Sequence, residues 1–420
     1  MAKSETKTEM KQHLKRDKKK NLKSNIYFLG LASLLNDMAT EMITPILPIF
    51  LTSVLGASGF AVGLIEGSAK AAEQLLSIFS GWYSDKIRKR KPLVIAGYLL
   101  ANLMKGAFAF TTSWPQFLFV RFAERSGKAI RTPARDAILA QSVEVKERRA
   151  GFALHRIMDT GGALIGPLIA IGLLAQFNND INTAARSIFV LALIPGLIAV
   201  AVLVFFVREP PATKERTEDK KRRFNFGQIF NLSAYGTGFR TLVISFVILS
   251  LLAPALAFFY LKASGLGFDL SGVLLLAFLF SITYIFGAGA LSLISKIKKI
   301  SEKQGIVIGL IGLAVVFLFT AKVTDIESFT ILLAIYGFFV GLLEVETKAY
   351  VASLIEKDRL ASAYGTYQTS VGFATLGGGI VFGLLWDFSS VYAFQVAAIG
   401  AFIAAGLFIG SSKKLEKKNK

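Results

Sequence analysis

Cysteine is absent from this 420-residue chain, and histidine occurs only twice. Without cysteine there is no disulfide, no thiol nucleophile and no thiolate-held metal. The sequence also lacks a phosphate-cradling glycine loop, a nucleotide motif, a catalytic triad and any cluster of side chains at metal-ligand spacing. A nucleotide-driven machine and an enzyme are thereby disfavoured, and no cofactor, metal or catalytic residue is expected. Acidic residues are scarce as well: 28 Asp and Glu stand against 48 Lys and Arg, a formal net charge of +20. In a soluble protein that excess would point to nucleic acid. What decides the matter is where the cations lie.

Hydrophobic residues make up 53% of the chain and the mean hydropathy is +0.55. Such a chain is too apolar to be soluble and suits a protein that crosses a membrane many times. A span requires about 20 mostly apolar helical residues. Twelve segments are predicted, near 26–52, 60–82, 93–112, 116–138, 151–175, 187–207, 240–262, 271–294, 304–322, 328–351, 362–386 and 390–411. The apolar run after the basic start is too long for a signal peptide, so segment 1 is read as an uncleaved helix.

Lys and Arg gather at the amino-terminal tail, at Lys86 to Lys91, Lys146 to Arg149, Arg208 to Arg223, Lys296 to Lys303, Lys357 to Arg359 and Lys413 to Lys420. The alternate loops hold only Arg186, Lys262 and Lys322. This alternation follows the positive-inside rule, which argues against nucleic acid and predicts both termini in the cytoplasm, with the chain in the inner membrane of a bacterial type of cell. Anionic lipid headgroups are the expected partners of the basic loops.

A linker that opens with Glu209-Pro210-Pro211 and is dense in Lys, Arg and Glu separates six segments from six. The predicted organisation is a basic tail (1–24), a first six-helix bundle (25–207), a linker (208–239), a second six-helix bundle (240–411) and a basic tail (412–420). The halves echo each other: Ser84-Asp85-Lys86-Ile87-Arg88-Lys89 lies over Ile294-Ser295-Lys296-Ile297-Lys298-Lys299, and Arg149 over Arg359. The charges inside the segments do not repeat. Asp37, Glu41, Glu66, Lys70, Asp85, Arg121 and Arg125 fall opposite Val247, Leu251, Leu276, Phe280, Ser295, Ile331 and Ile335. A duplicated bundle with one specialised copy is implied.

Several motifs carry a family resemblance. Gly81-Trp82-Tyr83-Ser84-Asp85-Lys86, with Lys89 and Arg90 after it, resembles the signature loop between helices 2 and 3 of the major facilitator superfamily, although Arg88 stands where that loop usually has a second glycine. Pro45-Ile46-Leu47-Pro48 resembles a Pro-x-x-Pro element of its drug-exporting members. Gly162-x-x-x-Gly166-Pro167 resembles part of the antiporter motif, with Ala170 and Ile171 in place of the closing glycine pair. Arg121 fits an arginine that the family often has in helix 4, whereas Glu124 and Arg125 replace the Gln and Gly that follow it. The resemblance implies an all-α polytopic fold of twelve helices in two six-helix bundles, with a central cavity lined mainly by segments 1, 4, 7 and 10 and alternating access by rocking of the halves.

Charges within a membrane are costly unless paired or facing a cavity, so they are the candidate functional residues. In segment 1, Asp37 and Glu41 are one turn apart on one face and suit proton coupling; pairing with cations from segments 2 or 4 is the bland alternative. In segment 2, Glu66, Lys70 and Glu73 share a face and read as internal ion pairing. Segment 4 presents Arg121, Glu124, Arg125, Lys128, Arg131 and Arg135 as one stripe. Arg121, Arg125 and Lys128 are candidates for a substrate cavity, or else for pairing with the acids of segments 1 and 2. Gly81, Asp85, Lys89, Arg90, Arg131 and Arg135 form a candidate cytoplasmic latch, and the resemblance makes Asp136 and Glu346 its struts. Glu344 and Lys348 are spaced to pair with each other. Gly162, Gly166 and Pro167 read as an antiporter element or as plain helix packing. His155 could titrate near neutrality, or serve structurally near the surface. Phe258, Phe259, Tyr260, Tyr364 and Tyr367 are candidates for a pocket wall or for packing.

The leading expectation is a proton-coupled secondary transporter, an antiporter exporting a small amphipathic or drug-like solute. Its alternative is an uptake carrier for an organic anion such as a carboxylate metabolite or chelator, and a minor alternative is a non-transporting membrane sensor. A monomer is expected, with protons and a small molecule as its partners.

Overall fold

A computed structural model describes residues 2–87, 89–144, 147–177, 180–210, 232, 235–294, 300–356 and 359–416. Segment 1 is built from α1 (Ala2–Ile43) and α2 (Leu47–Ser53). Segments 2 to 5 are α3 (Gly59–Ile87), α4 (Lys91–Ala107), α5 (Trp114–Gln141) and α6 (Arg148–Leu174), and segment 6 is α7 (Ile181–Leu191) with α8 (Leu193–Phe205). Segment 7 joins α9 (Thr237–Leu252) to α10 (Leu256–Gly265). Segments 8 to 12 are α11 (Leu270–Ile294), α12 (Glu302–Lys322), α13 (Ile326–Leu354), α14 (Leu360–Phe388) and α15 (Ser390–Glu416). The twelve helical segments form two bundles of six. The basic tail is continuous with segment 1, because α1 begins at Ala2.

Ten segments are long and apolar enough to cross a bilayer on length and composition alone. Segments 2 and 4 fall short for one reason: they hold the charges, Glu66, Lys70 and Glu73 in one and the cationic stripe in the other. Their place in the membrane therefore depends on what those charges meet.

Proline sets the breaks. Pro45 and Pro254, 209 residues apart, interrupt segments 1 and 7 at matching places in the repeat. Proline cannot donate to the helix ladder, so each helix stops and restarts at an angle. The two short pieces that follow, α2 and α10, pack against each other across the halves. Side chains cap the starts of segments 9 and 10: Asp325 accepts the Ser328 N–H at 2.7 Å, and Ser301 forms a capping box with Gln304.

The halves meet mainly along segments 2 and 11. Gly59, Gly63 and Gly67 of segment 2 face Gly383, Gly379 and the Thr375–Leu376 backbone of segment 11. A side chain at Gly63 would collide with the Gly379 carbonyl, so glycine is what lets the two backbones touch. At the end of this seam Asp387 caps segment 2 from the other half, its carboxylate accepting the N–H of Gly59 at 2.5 Å and of Phe60 at 2.8 Å. This is the end remote from both termini. A second, smaller contact joins segment 5 to segment 8.

Candidate functional site

The acids of segment 2 and the cations of segment 4 form an ionic ladder. Arg121 is 1% exposed, and its Nε and Nη2 each donate to Glu66 at 3.1 Å while Nη1 donates to Glu124 at 3.3 Å. Arg125 lies 3.2 Å from Glu124 and 3.5 Å from Glu73; Lys128 lies 3.2 Å and Lys70 3.9 Å from Glu73. The planar fork of Arg121 suits a two-point carboxylate contact. Each of the three cations proposed for a substrate cavity is thus engaged by a carboxylate of segment 2 or by Glu124.

Segment 1 is left out of the ladder. Asp37 and Glu41 are half-buried. Among the described residues no ion pair reaches either one: Asp37 accepts the Asn36 side-chain N–H at 3.1 Å, and Arg125 and Lys128 act on Glu41 only from a distance. The neighbour of Asp37 is another acid, Asp159 of segment 5. Ser33 donates to Asp159, and Arg135 donates to the Ser33 hydroxyl at 3.2 Å. Segment 5 can approach this closely because Gly162 and Gly166 lie flat on the backbone of segment 1, beside Leu34 and Met38. Pro167 follows within the same helix.

Lys105 of segment 3 is 1% exposed and donates to the Asn36 carbonyl and side-chain oxygen at 3.1 Å and to Asn102 at 2.8 Å. Its ammonium meets neutral acceptors, one helical position from Asp37. Sequence reasoning passed over this residue, although a lone lysine in mid-segment is a signal in its own right.

A polar chain then crosses to the second half. Arg156 Nη1 lies 3.7 Å from Asp159, and Nη2 donates to the Tyr284 hydroxyl at 3.2 Å. Tyr284 donates to Glu344, which pairs with Lys348 at 2.7 Å. The Lys348 carbonyl accepts the Tyr364 hydroxyl at 2.6 Å. Sequence reasoning assigned no role to Asp159, Arg156 or Tyr284. The first two share a face of segment 5 at i,i+3 and could have been found, whereas nothing in the sequence distinguishes Tyr284 from other membrane tyrosines.

The residues assigned to the latch lie on segments 2 and 4 and in the turn before segment 3. Gly81 packs over Pro133 of segment 4, and the Asp85 side chain lies outside the described residues. Lys89 is exposed; the Arg90 and Lys91 N–H groups donate to Glu209, at 3.0 and 2.6 Å, so the linker's first acid caps segment 3. Arg131 stacks on the Tyr98 ring at 3.9 Å, and Arg135 lies 3.0 Å from Asp136. Glu346 and His155 are buried. Phe258 and Phe259 serve packing: both are fully buried, the first against Phe382 and Trp386, the second stacked on Tyr336 at 4.2 Å.

The sequence matches the family model of the Major Facilitator Superfamily over residues 29–301 and 297–420. It is 31% identical over 397 residues to the MFS-type transporter MJ1317 of Methanocaldococcus jannaschii, covering 92% of this chain and 94% of that one. It is 32% identical over 377 residues to the protein Rv2265 of Mycobacterium tuberculosis, covering 86% of each. A crystal structure of a mutant of the nucleoside transporter NupG superposes with a TM-score of 0.78 at 14% identity, covering 92% of this chain and 99% of that one. The duplicated six-helix bundles, the charged first half and these matches agree: the chain belongs to the major facilitator superfamily, and is a secondary transporter of small molecules rather than an enzyme.

Proposed function

We propose that this transporter exchanges protons for a small amphipathic solute and exports it by alternating access from an inner membrane, with both termini in the cytoplasm. The observation that carries the reading is the contrast between segments 1 and 4. Among the described residues no ion pair reaches Asp37 or Glu41, and a third acid, Asp159, stands beside Asp37. Carboxyls crowded together in a low dielectric cannot all stay ionised, so one proton can be taken up and released by the group. An acid already neutralised by arginine has no such freedom.

The same contrast weighs against uptake of an organic anion. To reach Arg121, an anion would have to displace Glu66 and leave it uncompensated, and breaking a buried pair in this way costs about 3–5 kcal/mol. The ladder is better suited to holding segments 2 and 4 together as one rigid unit.

Reconstitution in proteoliposomes tests the reading. A pH jump should drive proton flux through the wild-type protein, and Asp37→Asn with Glu41→Gln should abolish it. No flux, or flux untouched by the double substitution, would overturn the proposal. Unchanged anion transport after Arg121→Gln and Arg125→Gln would dispose of the uptake alternative.

A further inference from the structure

Lys105 is 1% exposed, and among the described residues no ion pair reaches it. Its ammonium carries three N–H donors, and three neutral oxygens take them: the carbonyl and side-chain oxygens of Asn36 at 3.1 Å and the side-chain oxygen of Asn102 at 2.8 Å. A neutral amine would turn its lone pair on one of these oxygens, so the arrangement fits the charged form. The same contact orients the Asn36 amide. Its oxygen has to face a group that only donates, which leaves Nδ2 to donate to Asp37 at 3.1 Å. We propose that Lys105 is the counter-charge of ionised Asp37, relayed by the Asn36 amide, and is thus a positioning residue for proton coupling. The proposal rests on the coupling reading above and adds a residue to it.

Cost is the first argument. A buried charge without an opposite partner is destabilising, and a plain tether between segments 1 and 3 has no need of one, because a neutral glutamine can donate to the same asparagines. The surroundings of Asp37 supply the second. Its own helix brings Glu41, segment 5 brings Asp159 and Arg156, and segment 4 brings Arg131 and Lys128, with Arg135 behind Ser33. In segment 6, α8 contains no charged residue, and Arg186 of α7 lies over the Phe50 ring. The cations among these groups are engaged: Arg131 on the Tyr98 ring, Lys128 with Glu73, Arg135 with Asp136, and Arg156 with Asp159 and Tyr284. Around Lys105 itself, segment 4 places Arg125, Arg131 and Glu124, and Glu124 is taken by Arg121 and Arg125. Lys105 meets no carboxylate and reaches Asp37 through a single side chain.

This arrangement gives the proton something to move. When Asp37 is ionised, the amide lies between opposite charges and is polarised by both; when Asp37 is protonated, the ammonium is left with carbonyl oxygens alone. Segments 1 and 3 are therefore held together more strongly in one protonation state than in the other. Such a differential contact is what lets a ligand, here the proton, shift a conformational equilibrium.

A pH titration of the purified full chain in detergent tests the assignment, followed by infrared difference spectroscopy at the protonated-carboxyl band that Asp37→Asn removes. Lys105→Gln, which keeps a hydrogen-bond donor and loses the charge, should raise the midpoint of that band by about one pH unit, a ten-fold change in proton affinity. Lys105→Arg keeps the charge and should leave the midpoint near its wild-type value. Asn102→Asp, which retains the lysine and pairs it with a carboxylate, should raise the midpoint as well, and stands in where the glutamine variant fails to fold. A midpoint unmoved by Lys105→Gln and Asn102→Asp, an equal rise with Lys105→Arg, or a wild-type chain with no such band would overturn the proposal. Proton flux is read separately in proteoliposomes: its absence alongside the shifts would remove proton exchange and leave the link between Lys105 and Asp37 standing, whereas flux without the shifts would do the reverse.

Discussion

Arg156 and Tyr284 come from opposite halves of the chain and meet through one hydrogen bond of 3.2 Å. On one side Arg156 faces Asp159, and on the other Tyr284 donates to Glu344. Tyr284→Phe should cut this link with little effect on the fold, because a single hydrogen bond is worth about 0.5–1.5 kcal/mol net. Solute-driven proton flux in proteoliposomes is expected to fall several-fold while Tm moves by only a few degrees. Flux at the wild-type rate would show that the halves communicate by another route.

The ladder between segments 2 and 4 predicts an asymmetric response. Glu66→Gln removes one of the two carboxylates that meet Arg121, which is 1% exposed, and should destabilise the protein by about 1.5–3 kcal/mol, the worth of a hydrogen bond to a charged group. Adding Arg121→Met to the same chain should restore part of that loss. Chemical denaturation of the single and double variants supplies the comparison, and strictly additive losses would argue that the two residues are not energetically paired.

Asp387 accepts the first N–H groups of segment 2 from 328 residues away. Asp387→Ala should cost about 0.5–2 kcal/mol at that helix start. Amide hydrogen exchange at Gly59 and Phe60 should accelerate, and exchange elsewhere in segment 2 should change less. Unaltered exchange at both amides would mean that the cap does not hold the seam shut.

At the middle of that seam Gly63 and Gly379 touch through their backbones. Gly63→Val should force segments 2 and 11 apart, with an overpacking penalty of about 1–3 kcal/mol. Transport should suffer more than stability, since the closed arrangement of this end is what the substitution forbids. Wild-type transport by a Gly63→Val variant would contradict the closeness of the contact.

Much of the architecture was legible in the sequence because hydropathy and loop charge act through simple averages over about 20 residues. The helical wheel put Glu66, Lys70 and Glu73 on one face, and the structure gives that face to segment 4. A wheel tells which residues share a face, but it cannot say which helix that face will meet. For that reason Arg121 was assigned to a cavity, with pairing to the acids of segments 1 and 2 as the alternative, although it meets Glu66. Lys105 was visible as a lone charge in an apolar run, and its partners, Asn36 and Asn102, were not. Asp387 and Glu209 lie at helix edges where acids are ordinary, and only the tertiary fold brings them to the starts of segments 2 and 3. Likewise Glu344 and Lys348 were readable as a pair, whereas the Tyr284 that donates to Glu344 comes from segment 8, far away in sequence.

Segments 2 and 4 carry their complementary charges 55 residues apart, from Glu66 to Arg121. During synthesis segment 2 must therefore enter the bilayer, or wait at its edge, before the segment 4 cations that meet Glu66 and Glu73 exist. A central charge costs an inserting helix about 2.5–3.5 kcal/mol, so segment 2 has no stable position of its own until segment 4 arrives. The two behave as one unit of biogenesis separated by a reading delay. Charge changes on either helix should accordingly register first in how much protein reaches the membrane, and only afterwards in how well the assembled protein resists unfolding.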